Sequence, residues 1–147
     1  MAELFEILGR AAMRLGSPTV QQFNDTTYEV ITPFDTVTVE RGGITADHLT
    51  NEITVNQDGL YEVFFGIDAD FDKGDQLDIL IYVNGAAYSN NPAAVQGLGD
   101  GKPLSITWGS LVNLNAGDVI DMRCKNGASG NFDCNFRRLF FSVKADS

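Results

Sequence analysis

The chain has 147 residues, of which 44% are hydrophobic, 20% charged and 10% aromatic, a composition that fits one globular domain and excludes a disordered tail or a coiled coil. Twenty acidic residues against ten basic ones give a formal charge of −10, so no excess of Lys and Arg is present to displace counterions, and no nucleic-acid partner is expected. No apolar run reaches the roughly 18 residues that a membrane-spanning helix needs, so no membrane partner is expected either.

The first segment reads differently from the rest. Leu4, Leu8, Ala11 and Leu15 recur at helical spacing with Phe5 and Ala12 beside them, while Glu3, Glu6, Arg10 and Arg14 lie mostly elsewhere on the wheel. Gly16-Ser17-Pro18 supplies a stop, since glycine suits a helix C-cap and proline cannot continue the turn. The pattern predicts a short amphipathic helical arm over residues 1–18. Gly9 in its middle costs roughly 1 kcal/mol relative to alanine, which suits a segment ordered by docking. Glu3 and Glu6 stand where a secretory signal has basic residues, so synthesis in a cytosol is expected.

After Pro18 the chain carries β-sheet punctuation, and residues 19–147 are expected to form one β domain. Tyr28 to Ile31, Val37 to Val39 and Ile53 to Val55 are short β-branched pieces separated by Pro33, Gly42-Gly43 and polar residues. From Gly59 to Ala69, Tyr61, Val63, Phe65, Ile67 and Ala69 share one face. Leu77, Ile79, Ile81 and Val83 repeat that alternation and run into Asn84-Gly85, a strong hairpin signal. Further strands follow at Leu104 to Leu114, Val119 to Lys125 and Asn135 to Lys144, the first two joined by Asn115-Ala116-Gly117-Asp118. With no long helix between strands, parallel βαβ architecture is excluded and an antiparallel two-sheet sandwich is expected.

Several strands carry apolar groups on both faces. Simple alternation puts Leu139, Phe141 and Val143 on one side of the last strand and Phe136 and Phe140 on the other, and Leu60, Phe64 and Leu111 likewise oppose their own core sets. A sandwich needs one inner face per sheet, so the surplus predicts that one outer face is covered, by another subunit in the favoured reading and by a loop or the N-terminal helix in the other.

The blocks Asn56-Gln57-Asp58-Gly59-Leu60-Tyr61-Glu62-Val63-Phe64-Phe65 and Asp75-Gln76-Leu77-Asp78-Ile79-Leu80-Ile81-Tyr82-Val83-Asn84-Gly85 resemble the "GlY" strand and the following strand ending in "vNG" of C1q/TNF-like domains. Ser110 to Ile120 is similar to that family's "LnaGD.v" strand, turn and strand, and Phe136 to Val143 sits where the family has its aromatic closing strand. The resemblance spans roughly Asn24 to Lys144. It implies an all-β two-sheet antiparallel jelly roll of ten strands that assembles as a trimer, with the sheet bearing the "GlY" and closing strands along the three-fold axis. It also implies Phe64, Leu111, Phe136 and Phe140 as subunit contacts and Tyr61, Phe65, Ile106 and Trp108 as core.

Domains of this kind without a collagen stalk, signal peptide or membrane stem occur in tailed bacteriophages as capsid decoration or head-fibre proteins. By that analogy the chain is expected to be a structural virion protein, not an enzyme, assembled in the host cytoplasm and attached to the major capsid protein as a homotrimer. Leu4, Phe5, Leu8 and Leu15 of the arm are then the capsid-binding residues, with three weak arms engaging together. The alternative is a receptor- or carbohydrate-binding fibre tip that reads a host surface glycan with the loops Tyr88 to Asp100 and Asn126 to Asp133.

No motif points to catalysis or a cofactor. Asp68-Ala69-Asp70-Phe71-Asp72-Lys73-Gly74-Asp75 resembles a calcium loop, but the sixth position is Lys73 and the twelfth is Ile79, so the glycine and the bidentate carboxylate are both missing. His48 is the sole histidine and has no second ligand or relay partner with which to form a metal cage or a catalytic triad. Cys124 shares a strand face with Ile120 and Met122, and together with Cys134 is expected to be a buried thiol, though a single bridge across neighbouring strands is the other reading. Arg137 and Arg138 are adjacent in the closing strand and are expected to face opposite ways; one of them pairs with an acid at a subunit boundary, or the two are an ordinary exposed pair near a strand start.

Overall fold

The structure is a computed structural model that describes residues 8–146. Among them are thirteen strands in two antiparallel sheets and no helix. The first sheet runs β11 (Leu104–Leu114), β7 (Gly59–Asp70), β13 (Phe132–Ala145), β1 (Arg10–Arg14), β4 (Thr36–Arg41), with β2 (Thr19–Phe23) also paired to β13. The second runs β10 (Ala93–Gln96), β8 (Gln76–Val83), β12 (Val119–Asn126), β6 (Glu52–Thr54), β5 (Thr45–Asp47), with β3 (Glu29–Val30) on β12 and β9 (Ala86–Ala87) on β8.

The long strands follow from alternation. In β7, Tyr61, Val63, Phe65, Ile67 and Ala69 are all buried, and in β8 Leu77, Ile79 and Ile81 meet them from the facing sheet. Aromatic rings fill one end of the interior: Phe71 and Phe132 lie 5.1 Å apart, and Phe23 meets Phe136 edge-on at 6.0 Å. Asn84 (φ 51°) and Gly85 (φ 79°) close the hairpin between β8 and β9 in the left-handed conformation that this dipeptide tolerates. In the turn between β11 and β12, the Asp118 carboxylate accepts the Asn115 N–H at 2.8 Å.

The expected N-terminal helix is corrected for the part of it that is described. Arg10–Arg14 is a strand held between β13 and β4, with Ala11 opposite Val143 and Met13 opposite Phe141. Its backbone groups saturate the edges of two strands that a helix would leave unpaired, and Ala11 and Met13 are fully buried in the core. Residues 10–14 are thus part of the β domain and not of an arm that precedes it.

Candidate functional site

The outer face of the first sheet is where the sequence places its surplus apolar groups, and three of the four expected contact residues lie there. Phe64 on β7 and Phe140 on β13 are half-buried with ring centroids 6.1 Å apart, and Leu111 on β11 is 52% exposed. Two glycines shape this face. Gly109 lies opposite Phe64 across the β7–β11 ladder, and a side chain there would come within 3.4 Å of the Phe64 ring. Gly66, opposite Phe140, has the same ring 3.9 Å from where its Cβ would be. The phenylalanine therefore leans across bare backbone and forms a low apolar patch, flanked by exposed Glu62 opposite Leu111 and exposed Arg14 opposite Phe140.

The fourth residue is corrected. Phe136 is fully buried beside Phe23, inside the sandwich. The cause is a bulge on β13 between Phe136 and Arg138, where two residues oppose one step of β7. Before the bulge even-numbered Phe136 points inward; after it odd-numbered Leu139 and Phe141 do, and Phe140 is turned out. The same bulge puts Arg137 and Arg138 both at the surface, not on opposite faces, with side chains 41% and 85% exposed. Neither is left for a subunit boundary alone: Arg137 Nε donates to Asp70 Oδ1 at 2.6 Å, and Arg138 Nε lies 3.8 Å from Asp68 Oδ2.

These charges form the polar end of the face. Asp70, 3% exposed, also accepts from Asn135 Nδ2 at 2.9 Å and from the Gly101 N–H at 3.0 Å. Burial on its own would raise this carboxyl, but the Arg137, Gly101 and Asn135 bonds outweigh it and hold the group below its ordinary value of 3.8. Asp68 accepts the Ser105 hydroxyl at 2.6 Å. Between this cluster and Phe140 lies an open groove of about 510 Å³, lined also by Arg14, Gly66 and Thr107.

Of the residues expected to dock the arm, Leu4 and Phe5 lie outside the described residues. Leu8 is 43% exposed, but Leu15 is buried at 6% with its N–H bonded to the Leu139 carbonyl, so it belongs to the core and is not a docking residue. The expected core is otherwise found: Tyr61 and Phe65 are buried, and Ile106 and Trp108 pack against it half-buried, with Trp108 stacked on Phe65 at 5.6 Å. Cys124 and Cys134 are buried free thiols, each pushed up first by burial. The proposed recognition loops are partly framework: Ala93–Gln96 is strand β10, and buried Asn126 ties the loop after β12 to Asp75 at 3.0 Å and to the Gly130 carbonyl at 3.0 Å.

No protein-family model and no curated protein sequence matches the chain. Solved structures do. An Eiger TNF from S. frugiperda superposes with a TM-score of 0.68 at 13% identity, covering 95% of this chain and 93% of that one. Murine APRIL superposes with a TM-score of 0.59 at 12% identity, covering 95% of this chain and 100% of that one. At such identities the likeness speaks for architecture alone: the fold is a C1q/TNF-like jelly roll.

Proposed function

We propose that this chain is a non-enzymatic structural protein that forms a homotrimer through the outer face of its first sheet and decorates a viral capsid, with the major capsid protein as its partner on the virion surface. The observation that carries the reading is the apolar strip of Phe64, Phe140 and Leu111 laid over Gly66 and Gly109, with the Arg137 and Asp70 pair at its edge. A monomer would leave that strip in water, whereas an interface with an apolar centre and a charged rim matches the anatomy of stable subunit contacts. The resemblance of the Gly59–Asp70 and closing-strand sequences to C1q/TNF-like domains supports the three-fold assembly, and the analogy to stalkless phage members of that fold supports the capsid.

Sedimentation of the purified chain at micromolar concentration should give a trimer, and Phe140→Glu should give a folded monomer. A single-copy wild-type species would overturn the assembly. Particles carrying the gene should hold the chain together with the major capsid protein, and particles that lack it after purification would overturn the decoration.

A further inference from the structure

The outer face of the second sheet carries a different surface. A groove of about 660 Å³ there gathers Tyr28, Tyr82 and Tyr88, three of the four tyrosines of the chain, with Asp78, Asn90 and Lys125. That volume lies within the range of small-molecule sites. Alternation along β8 produces the arrangement: Leu77, Ile79 and Ile81 enter the core, so Asp78 and Tyr82 turn outward, and Lys125 on β12 stands opposite Asp78.

The aromatic part is fixed in advance. Tyr28 and Tyr82 have ring centroids 6.0 Å apart at 50°. The Arg123 guanidinium sits 4.3 Å from the centre of the Tyr82 ring and is itself held by two bonds to buried Asp121, at 2.8 and 3.1 Å. The Lys125 ammonium lies 5.1 Å from the Tyr28 ring. Cation–π contacts of this kind keep both rings in place, so a ligand lying against them loses little affinity to ordering side chains. Tyr88, 46% exposed, brings a third ring from the other side of the β8–β9 hairpin.

The polar part is incomplete within the chain. Asp78 is 7% exposed, and its Oδ1 accepts from Gln76 Nε2 at 2.7 Å, but Oδ2 accepts no hydrogen bond among the described residues. That oxygen is not sealed off from solvent and is free to accept from a ligand hydroxyl. The Tyr61 hydroxyl donates to the Gln57 carbonyl, whereas those of the three groove tyrosines bond to no described residue. Burial, and after it the charge of Asp78, pushes the Tyr28 phenol up to about 12, so it remains a donor at any physiological pH.

From this geometry we propose that the groove binds a neutral saccharide, a pyranose ring lying against the tyrosines while its hydroxyls donate to Asp78 and bond with Asn90. Charge selects the class. An anion meets Asp78 on a chain of charge −10, and a cation meets Lys125, so an uncharged ligand with hydroxyls on an otherwise C–H surface fits both groups. A proline-rich peptide would also suit the rings, but its exposed carbonyls are acceptors and give Asp78 nothing. The site is independent of capsid attachment.

The test is an amide chemical-shift titration of the full chain with maltotriose, cellotriose, triacetylchitotriose and mannotriose, followed by an oligoproline peptide. One of the sugars should move the amides of residues 87–90 together with those of Tyr28 and Lys125. Tyr88→Ala should weaken that binding about tenfold or more while Tyr88→Phe keeps it, and Asp78→Asn should weaken it about fivefold. The amide spectrum of each variant reports whether it is folded. Groove shifts from none of the sugars, shifts elsewhere, indifference to Tyr88→Ala, or groove shifts from the oligoproline alone would overturn the proposal.

Discussion

Arg137→Met should destabilise the protein in a pH-dependent way that identifies its cause. Asp70 is nearly buried and takes three donors, of which Arg137, at 2.6 Å, is the one cation. The substitution leaves an ionised carboxylate with two neutral partners. A hydrogen bond to a charged group contributes roughly 1.5–3 kcal/mol net. The Arg137 side chain is 41% exposed, so solvent screening puts the expected loss at the lower end, about 1–2 kcal/mol. For a chain of this size that is about 3–6 °C in Tm. Because the Asp70 carboxyl is held below its ordinary value, its contribution is fully present above the unfolded-state pKa and is lost as pH falls through the folded one. Thermal melts followed by circular dichroism should therefore show a constant offset between wild type and variant above about pH 5 and convergence in more acid solution. Equal melting temperatures at neutral pH, or an offset that persists undiminished in acid, would refute the reasoning.

Two further outcomes separate the core from the surface. Phe136→Ala removes a fully buried ring packed edge-on against Phe23 and should cost about 3–5 kcal/mol in urea unfolding, whereas a loss under about 1 kcal/mol would mean that the bulge does not turn Phe136 inward. Cys124 and Cys134 are buried thiols pushed up by burial, so native protein should react slowly with an aromatic disulfide reagent and denatured protein should release both equivalents at once; fast labelling of the native form would contradict that burial.

Strands whose side chains alternate without interruption were legible from composition and spacing. Leu104–Leu114 has the same bounds in the sequence reading and in the structure, since Val112 and Leu114 at one end and Leu104 at the other all point inward. Phe136 was misplaced because a bulge adds one residue without any marker in residue type, and parity counted back from Phe140 is then wrong by one. The N-terminal segment carried two periods at once. Leu4, Leu8, Ala11 and Leu15 fit a helix, while Ala11, Met13 and Leu15 also alternate, and the vacant place between β13 and β4 decided for the strand. The period-two signal was the one that tertiary pairing used. The tyrosine groove had no sequence signature, because Tyr28 and Tyr82 come together only when β3 and β8 flank β12.

The two outer faces are suited to opposite tasks, and the difference decides which one a second copy would cover. On the second sheet, Asp78 and Asp121 are already nearly buried, with Lys125 and Arg123 against the tyrosine rings. Pressing another subunit over these groups would strip the remaining water from four charges, a desolvation cost that the single Arg123–Asp121 pair would not offset. On the first sheet, the contact groups are two phenylalanines, a leucine and bare glycine backbone, and the charged residues beside them, Glu62 opposite Leu111, Arg14 opposite Phe140 and Arg138, are exposed. Burial there removes apolar surface at about 25 cal/mol per Å², and the charges beside it are on exposed side chains that can turn toward water at the rim. If copies assemble through the first sheet as proposed, the tyrosine groove of every subunit stays uncovered, and a trimer would present three such grooves to a multivalent ligand.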